Sequence, residues 1–189
     1  MINRRNALAG VAMMFGSQIF APIARAAGLA GPATLPMIDT GPPSAAVFTP
    51  AQRATMAALS DRIIPTTDTP GAIAAGVPDY IEKLLADWAR PNERVPILAG
   101  IDAIEAKSLL DYKVSAARAT PEQQDALITA AMKGGLGDGS GFFLKFRQLV
   151  IAGYYTSEIG MTQERAYLPV PGEYHGDYLY SQVNKVFTA

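Results

Sequence analysis

The chain has 189 residues, of which 49% are hydrophobic, and its 16 Lys and Arg nearly balance 17 Asp and Glu to give a net charge of -1. This size predicts one domain with tails, and the charge balance favours neither a nucleic-acid surface nor a polybasic membrane patch. Because the chain has no Cys, it cannot hold a disulfide, an iron-sulfur cluster, a thiolate metal site or covalent c-type haem, and its single His excludes a multi-histidine site.

Residues 1–26 have the pattern of a cleavable export signal. A dibasic head is followed by a weakly apolar stretch and by the small-x-small ending of a cleavage site, and the arginine pair favours the twin-arginine route. The alternatives are an ordinary secretory signal with an incidental arginine pair and a membrane-spanning helix, which the internal Gly, Pro and polar residues disfavour. The residues that carry the signal are Arg4, Arg5, Leu8, Ala24 and Ala26.

The twin-arginine route transports folded proteins, and its usual cargo has acquired a cofactor before export. This sequence contains no motif for binding a cofactor. We therefore expect the signal to serve a partner, which folds around its cofactor, binds this chain and crosses to the periplasm with it.

Residues 27–48 are rich in Gly and Pro and show no apolar period, which predicts an irregular leader. A first helix is predicted after Thr49, because Thr49-Pro50-Ala51-Gln52 supplies an N-cap, a proline at the first helical position and a glutamine three residues after the cap. Pro65 ends this helix. A second helix starts at Val77-Pro78, with an apolar stripe formed by Ile81, Leu84, Leu85 and Trp88.

Three more helices complete the prediction. The third runs from about Val95 to Tyr112, although Gly100 weakens it. The fourth repeats the first signature at Thr120-Pro121-Glu122-Gln123, and the fifth begins near Phe142. The fold class is therefore all-α: a small bundle of about five helices over residues 49–166, with an irregular N-terminal leader and an extended Pro/Tyr-rich C-terminal tail over residues 167–189.

Four features that suggest chemistry have simpler structural interpretations. The run from Gly134 to Gly141 lacks the G-x-G-x-x-G order and is predicted to connect two helices through a glycine cap. His175 is predicted to be exposed or to face a partner, because no nucleophile motif accompanies it. Asp68, within PTTDTPG, is predicted to belong to a turn. Trp88 closes a helical stripe, which favours core packing over cofactor stacking.

Six of the eight tyrosines lie from residue 154 onward. Tyrosines on an extended Pro-rich strip cannot all enter a small helical core, and Tyr combines a large apolar ring with a polar tip that suits an interface. This distribution favours an interaction tail over a tail that packs on its own domain. The predicted partner-binding residues are Tyr154, Tyr155, Tyr167, Pro169, Pro171, Tyr174, Tyr178 and Tyr180.

Three segments carry a family resemblance when they are taken together. They are LSDRIIPTTDTPGAIAAGVPDYIEKLLADW (59–88), FRQLVIAGYYTSEIG (146–160) and YLPVPGEYHGD (167–177). In this order they resemble the gluconate 2-dehydrogenase subunit 3 family, the small subunits of bacterial membrane-associated sugar and sugar-acid dehydrogenases. The likeness runs from about Thr49 to Tyr180.

The resemblance implies a large FAD-containing catalytic subunit of the glucose-methanol-choline type and commonly a multi-haem cytochrome c subunit. The small subunit then carries the export signal and serves the export and maturation of its partner, in a periplasmic complex peripheral to the inner membrane. Neither catalysis nor a cofactor is expected in this chain. The resemblance does not fix the substrate.

Two other functions compete with this expectation. A free-standing periplasmic binding or scaffold protein would have the same export signal but no redox partner. A hydrolase or other enzyme that uses His175 or acidic residues is disfavoured, because the sequence shows no set of nucleophile, base and orienting residue. The neighbouring reading frame discriminates between the dehydrogenase subunit and the free-standing protein. A large flavoprotein with a G-x-G-x-x-G start in that frame supports the dehydrogenase subunit.

Overall fold

The computed structural model describes residues 41–136, 141–168, 172 and 179–188. Its main helices are α1 (Pro50–Ile63), α2 (Val77–Asp87), α3 (Pro91–Tyr112), α4 (Pro121–Met132) and α5 (Phe142–Tyr155). A 3₁₀ turn (Ala116–Arg118) precedes α4, and a π-helical turn (Gly160–Glu164) follows α5. Strand β1 (Ala166–Tyr167), helix α6 (Tyr180–Val183) and strand β2 (Phe187–Thr188) come last. The prediction of an all-α fold is confirmed, and the predicted signal lies outside the described residues.

The two repeated Thr-Pro signatures form the N-terminal caps that the sequence predicts. At α1, the backbone amide of Gln52 donates to the Thr49 hydroxyl at 3.2 Å, and the backbone amide of Thr49 donates to the side-chain carbonyl of Gln52 at 3.0 Å. The corresponding distances between Gln123 and Thr120 at α4 are 3.3 and 2.9 Å. Each reciprocal pair satisfies two amides that would otherwise lack partners at the helix start.

Helix α3 begins at Pro91, earlier than the predicted start near Val95. Pro91 occupies the first turn, and the Glu93 carboxylate accepts a 2.9 Å hydrogen bond from the backbone amide of Arg90. Pro96 lies inside the helix, in its second turn, where its nitrogen has no hydrogen to donate to the helix. The sequence pattern places the start too late because a helix seldom contains a proline beyond its first turn.

Close approaches between helices explain two glycines that weaken the helical sequence pattern. A Cβ atom at Gly100 on α3 would overlap the ring of Phe142 on α5. A Cβ at Gly153 on α5 would lie 2.6 Å from Cδ1 of Tyr80 on α2. The lost helix propensity, about 1 kcal/mol per glycine, is thus offset by close packing of the helices.

One continuous apolar core holds the five long helices together. Its fully buried side chains would each lose about 1.5–3 kcal/mol of transfer free energy if they were exposed to water. The largest of them are Met56, Leu59, Ile81, Ile97, Ile101, Ile104, Leu127, Phe146, Val150 and Tyr154. The inward positions predicted for the third helix, at Ile97, Ile101 and Ile104, are confirmed.

The end of the predicted leader joins this core. Phe48 is buried and packs in the apolar cluster, directly before the cap of α1. Further upstream, the Ser44 amide donates to the Asp87 carboxylate at 2.9 Å, and Lys83 donates to the carbonyl oxygen of Pro42 at 3.4 Å. These bonds attach residues 42–44 to the C-terminal half of α2.

Polar groups connect α1 to α3 and to α2, and connect α3 to the 3₁₀ turn. The Glu105 carboxylate on α3 accepts a 2.9 Å hydrogen bond from the hydroxyl of Thr55 and a 3.0 Å bond from the amide of Ala116. Glu82 of α2 is buried and forms an ion pair with Arg53. The half-buried carboxylate of Glu105 and the buried carboxylate of Glu82 therefore each have a partner on another element, as burial of a charge requires.

The glycine run after α4 ends the helix as predicted. Gly134 has φ of 73°, in the left-handed region that glycine adopts without strain. The Gly135 amide donates to the Ala130 carbonyl at 2.8 Å, and the Gly134 amide donates to the Ala131 carbonyl at 3.3 Å. This pattern is a Schellman cap, so the prediction of a glycine-capped connector is confirmed for the described residues.

Candidate partner-binding surface

Two of the three family-like segments meet where α5 ends. The hydroxyl of Tyr154 donates a 2.8 Å hydrogen bond to the carbonyl oxygen of Pro70, in the loop between α1 and α2. In the same loop, the hydroxyl of Thr69 donates to the Glu164 carboxylate at 2.6 Å. The side chain of Tyr154 is only 2% exposed, so it offers no area to a partner. Tyr154 is therefore a core residue and not part of an exposed contact surface.

The tip of the same loop is a turn, as the sequence predicts for PTTDTPG. The Gly71 amide donates to the Thr66 hydroxyl at 3.0 Å, and the Thr67 amide donates to the Thr69 carbonyl at 3.1 Å. Asp68 lies exposed between them. The Thr66 hydroxyl closes the loop onto Gly71, and Asp68 lies in the exposed part between them, so the interpretation of Asp68 as loop architecture is confirmed.

Tyr155 lies at the edge of the fold, between the core and the chain that follows it. Its ring meets Tyr154 edge-on, with the centroids 5.2 Å apart and an interplanar angle of 86°. The guanidinium of Arg165 lies 4.3 Å from the centroid of the Tyr155 ring. This cation-π contact, worth about 0.5–1 kcal/mol at an exposed site, helps to position the backbone that enters β1.

The C-terminal end of the chain returns to β1 and pairs with it. Strands β1 and β2 are parallel, with Ala166 opposite Phe187 and Tyr167 opposite Thr188. Their backbone hydrogen bonds measure 3.0 Å, from Ala166 N to Val186 O, and 2.8 Å, from Leu168 N to Thr188 O. The tail, which the sequence predicts to be extended, therefore also contains the short helix α6 and the strand β2. The sequence does not reveal these strands, because two residues are too few to show an alternating pattern.

This end of the chain exposes a group of large apolar side chains that we call the C-terminal clip. Their exposed fractions range from 39% to 64%. Exposed large apolar side chains that lie together on one part of a chain are a feature of interaction sites. The members of the clip are Tyr167, Leu168, Leu179, Tyr180, Val186 and Phe187.

The structure includes only some of the predicted partner-binding residues. Tyr167 and Tyr180 belong to the C-terminal clip, and Tyr155, near the end of α5, is half-buried. The other predicted residues lie outside the described part of the chain, as does His175. These others are Pro169, Pro171, Tyr174 and Tyr178.

The prediction that Trp88 packs in the core is wrong. The Trp88 side chain is 80% exposed, because α2 ends at Asp87 and Trp88 is its C-cap with φ of -122° and ψ of -34°. A stripe of side chains continues only as long as the backbone remains helical. The earlier members of the stripe, Ile81 and Leu85, do lie in the core.

Trp88 forms one edge of a hollow between α2, the start of α3 and α5. This hollow, which we call the Trp88 groove, has a volume of about 570 Å³. Its apolar lining comes from Leu84, Leu85, Trp88, Ile97, Leu149 and Ala152. One signal in the sequence could have indicated it, an aromatic residue at the end of the apolar stripe of α2, three positions before Pro91.

A second, smaller hollow of about 310 Å³ lies beside an ion pair between α1 and α4. The Arg62 guanidinium donates two hydrogen bonds to the Asp125 carboxylate, at 2.8 and 2.6 Å. This bidentate contact raises the pKa of Arg62 and lowers the pKa of Asp125. Arg147 of α5 also lines this hollow.

In the part of the chain that the structure describes, no group of three or more His, Cys, Asp or Glu side chains has the geometry to hold a metal ion. None of the helices there combines the length and the apolar character needed to cross a membrane.

Comparison with protein families gives one match. The family described as gluconate 2-dehydrogenase subunit 3 matches residues 50–172, a range that contains α1 to α5, β1 and all of the Trp88 groove. Residues 179–188, which complete the C-terminal clip, lie beyond it. No curated protein and no solved structure matches the chain.

Proposed function

Because the chain belongs to the gluconate 2-dehydrogenase subunit 3 family, we propose that it is the non-catalytic small subunit of an FAD-dependent sugar or sugar-acid dehydrogenase. The family match carries this proposal, since a subunit of a dehydrogenase implies a dehydrogenase partner. The partner would be a large FAD-containing subunit of the glucose-methanol-choline type, and a multi-haem cytochrome c subunit would take the electrons. Catalysis and both cofactors belong to these partners.

The C-terminal clip supports the part of the proposal that concerns binding. Aromatic side chains carry a disproportionate share of interface energy, and Tyr167, Tyr180 and Phe187 are each 46% or more exposed. The backbone of the clip is fixed by the β1–β2 pairing and by the Lys185 ammonium, which donates to the carbonyl oxygen of Gln163. A preorganised apolar surface loses less conformational entropy on binding than a free tail would.

The proposed complex is exported through the twin-arginine route and works in the periplasm, peripheral to the inner membrane. The basis is the Arg4-Arg5 pair in the predicted signal. If this chain provides the only export signal, the large subunit crosses the membrane only when it is bound to it. Stabilising the folded large subunit before export is then the second role of this chain.

The experiment that tests this proposal replaces the arginine pair. The receptor for the twin-arginine route recognises two guanidinium groups, which lysine does not reproduce. With Arg4→Lys and Arg5→Lys together, both this chain and the large flavoprotein should remain in the cytoplasm, as measured by fractionation and by dehydrogenase activity in the periplasm. Normal amounts of the flavoprotein in the periplasm would contradict co-export.

A further inference from the structure

Residues 163–165, at the end of the π-helical turn and just after it, each contact a different part of the chain. The first accepts a hydrogen bond at its backbone carbonyl from Lys185, beside β2. The second accepts one at its carboxylate from Thr69, in the α1–α2 loop, and the third places its guanidinium over the ring of Tyr155, on α5. We infer that this segment, which we call the latch, holds the C-terminal clip in one orientation on the helical domain and so positions it for partner binding. This inference rests on the proposed function and adds to it the residues that keep the contact surface in place.

The clip packs on the helical domain through the π-helical turn. Among the described elements, β2 packs mainly against β1, β1 packs mainly against the turn, and the turn packs against α5. The backbone continues this connection, since the Arg165 amide donates to the Gly160 carbonyl at 3.2 Å, directly before β1 begins at Ala166. The orientation of the clip therefore depends on how the end of the turn is held.

The start of the turn is fixed on α5. A Cβ atom at Gly160 would overlap the carbonyl oxygen of Tyr154, so the turn packs directly on the helix backbone. The Gly160 amide donates to the Ser157 hydroxyl at 3.0 Å, and that hydroxyl donates to the Tyr154 carbonyl at 2.6 Å. Only the far end of the turn relies on the side chains of the latch.

Two side-chain contacts of the latch reach the helical domain. The hydroxyl of Thr69 lies 2.6 Å from the Glu164 carboxylate, a short distance that is typical of a hydrogen bond to an ionised acceptor, and such bonds are stronger than those between neutral groups. The guanidinium of Arg165 lies 4.3 Å from the centroid of the Tyr155 ring. Because these contacts hold neighbouring residues from two separate elements, they restrain both the position and the direction of the chain that enters β1.

Spin-label distances in the full-length chain test the latch without the partner. Because the chain has no Cys, Ser181→Cys on α6 and Ala126→Cys on α4 provide two labels at exposed sites. The distance between the labels should follow one narrow distribution when the latch is intact. It should broaden when Thr69→Val and Arg165→Gln remove the hydroxyl and the guanidinium. Helicity and melting temperature should stay close to the wild-type values, since both side chains are only half-buried.

Matched variants separate the latch from general effects on the loop. Thr67→Val makes the same change at an exposed position of the same loop, and Thr69→Ser keeps the hydroxyl that donates to Glu164. Both should leave the distribution narrow. Glu164→Leu should broaden it as Thr69→Val does, and the two together should broaden it no further, because both remove the same hydrogen bond.

The affinity for the large flavoprotein, measured with purified proteins, connects the latch to binding. A clip that moves freely loses more conformational entropy when it binds, so the chain with Thr69→Val and Arg165→Gln should bind about tenfold more weakly, whereas Thr69→Ser should bind like the wild type.

The two readouts distinguish the possible failures. A distance distribution that stays narrow without the latch contacts, or one that is already broad in the wild type, would overturn the inference at any affinity. A broadened distribution with unchanged affinity would overturn the role of the latch in binding while the proposed function stands. If the wild type does not bind the flavoprotein, the proposed function and this role both fail.

Discussion

The hydroxyl of Tyr154, near the end of α5, donates a hydrogen bond of 2.8 Å to the carbonyl oxygen of Pro70 in the α1–α2 loop. The bond joins two of the segments on which the family resemblance rests, TDTPGA and GYYTSEIG. Since Tyr154 is buried, the bond acts within the fold and keeps the loop against the helix that leads to the C-terminal clip. Part of the family signature therefore has a structural role.

Tyr154→Phe tests the hydrogen bond between Tyr154 and Pro70. The substitution leaves the Pro70 carbonyl without its donor, and a buried acceptor without a partner costs about 1–2 kcal/mol. We expect the free energy of unfolding, measured by urea denaturation, to fall by that amount. Tyr155→Phe, at the half-buried neighbour, is the control and should change it by less than about 0.5 kcal/mol. Equal effects at the two positions would refute the special role of Tyr154.

Gly100→Ala tests the close contact between α3 and α5. In an open helix this change stabilises by about 1 kcal/mol. Here the added Cβ would overlap the ring of Phe142, and overpacking of a core typically costs about 1–3 kcal/mol. We therefore expect a net loss of stability in thermal or urea unfolding. Combining it with Phe142→Leu should cost less than the sum of the two single changes, and strict additivity would show that the residues do not touch.

Acid unfolding should reveal the role of Asp87. Hydrogen bonds from Ser44 and then the Lys83 ammonium lower the pKa of Asp87 to about 2, from an ordinary value of 3.8. Because the pKa is lower in the folded state, ionised Asp87 stabilises the fold above about pH 4, and this contribution is lost as the pH falls towards about 2. The difference in unfolding free energy between wild type and Asp87→Asn should therefore shrink over that interval.

Ser44→Ala provides the companion measurement for Asp87. Loss of the serine side chain raises the folded-state pKa of Asp87 toward its ordinary value, so the stability that ionised Asp87 contributes should be smaller than in the wild type, and its loss on acidification should be complete at a higher pH. A difference between wild type and Asp87→Asn that stays constant down to about pH 2 would contradict the assignment.

Truncation after Leu168 tests the C-terminal clip. It removes β2 and α6 but none of the five long helices, so helicity by circular dichroism should remain nearly unchanged. Co-purification with the large flavoprotein should fall at least tenfold, because the truncation removes several exposed apolar anchors at once. An unfolded product would instead place this segment in the core, and unchanged binding would remove it from the interface.

The sequence predicted those parts of the structure that depend on local patterns. The Thr-Pro caps at Thr49 and Thr120 and the inward isoleucines of α3 follow from residue spacing alone. The exposure of Trp88 and the burial of Tyr154 do not follow from residue spacing. The exposure of Trp88 depends on the residue where α2 ends, and the burial of Tyr154 depends on a loop more than 80 residues away in the chain. Single-residue exposure is set by such tertiary contacts, which periodicity does not report.

The central claim is that this chain binds a flavin-containing dehydrogenase subunit, and size-exclusion chromatography with light scattering and flavin absorbance tests it most directly. When the two proteins are co-expressed, the 20.0 kDa chain should elute together with the flavin absorbance, at a mass equal to the sum of its own and that of the large subunit. Alone, it should elute without flavin absorbance. Elution of the chain as a separate peak, with all flavin and dehydrogenase activity in a fraction that lacks it, would contradict the account.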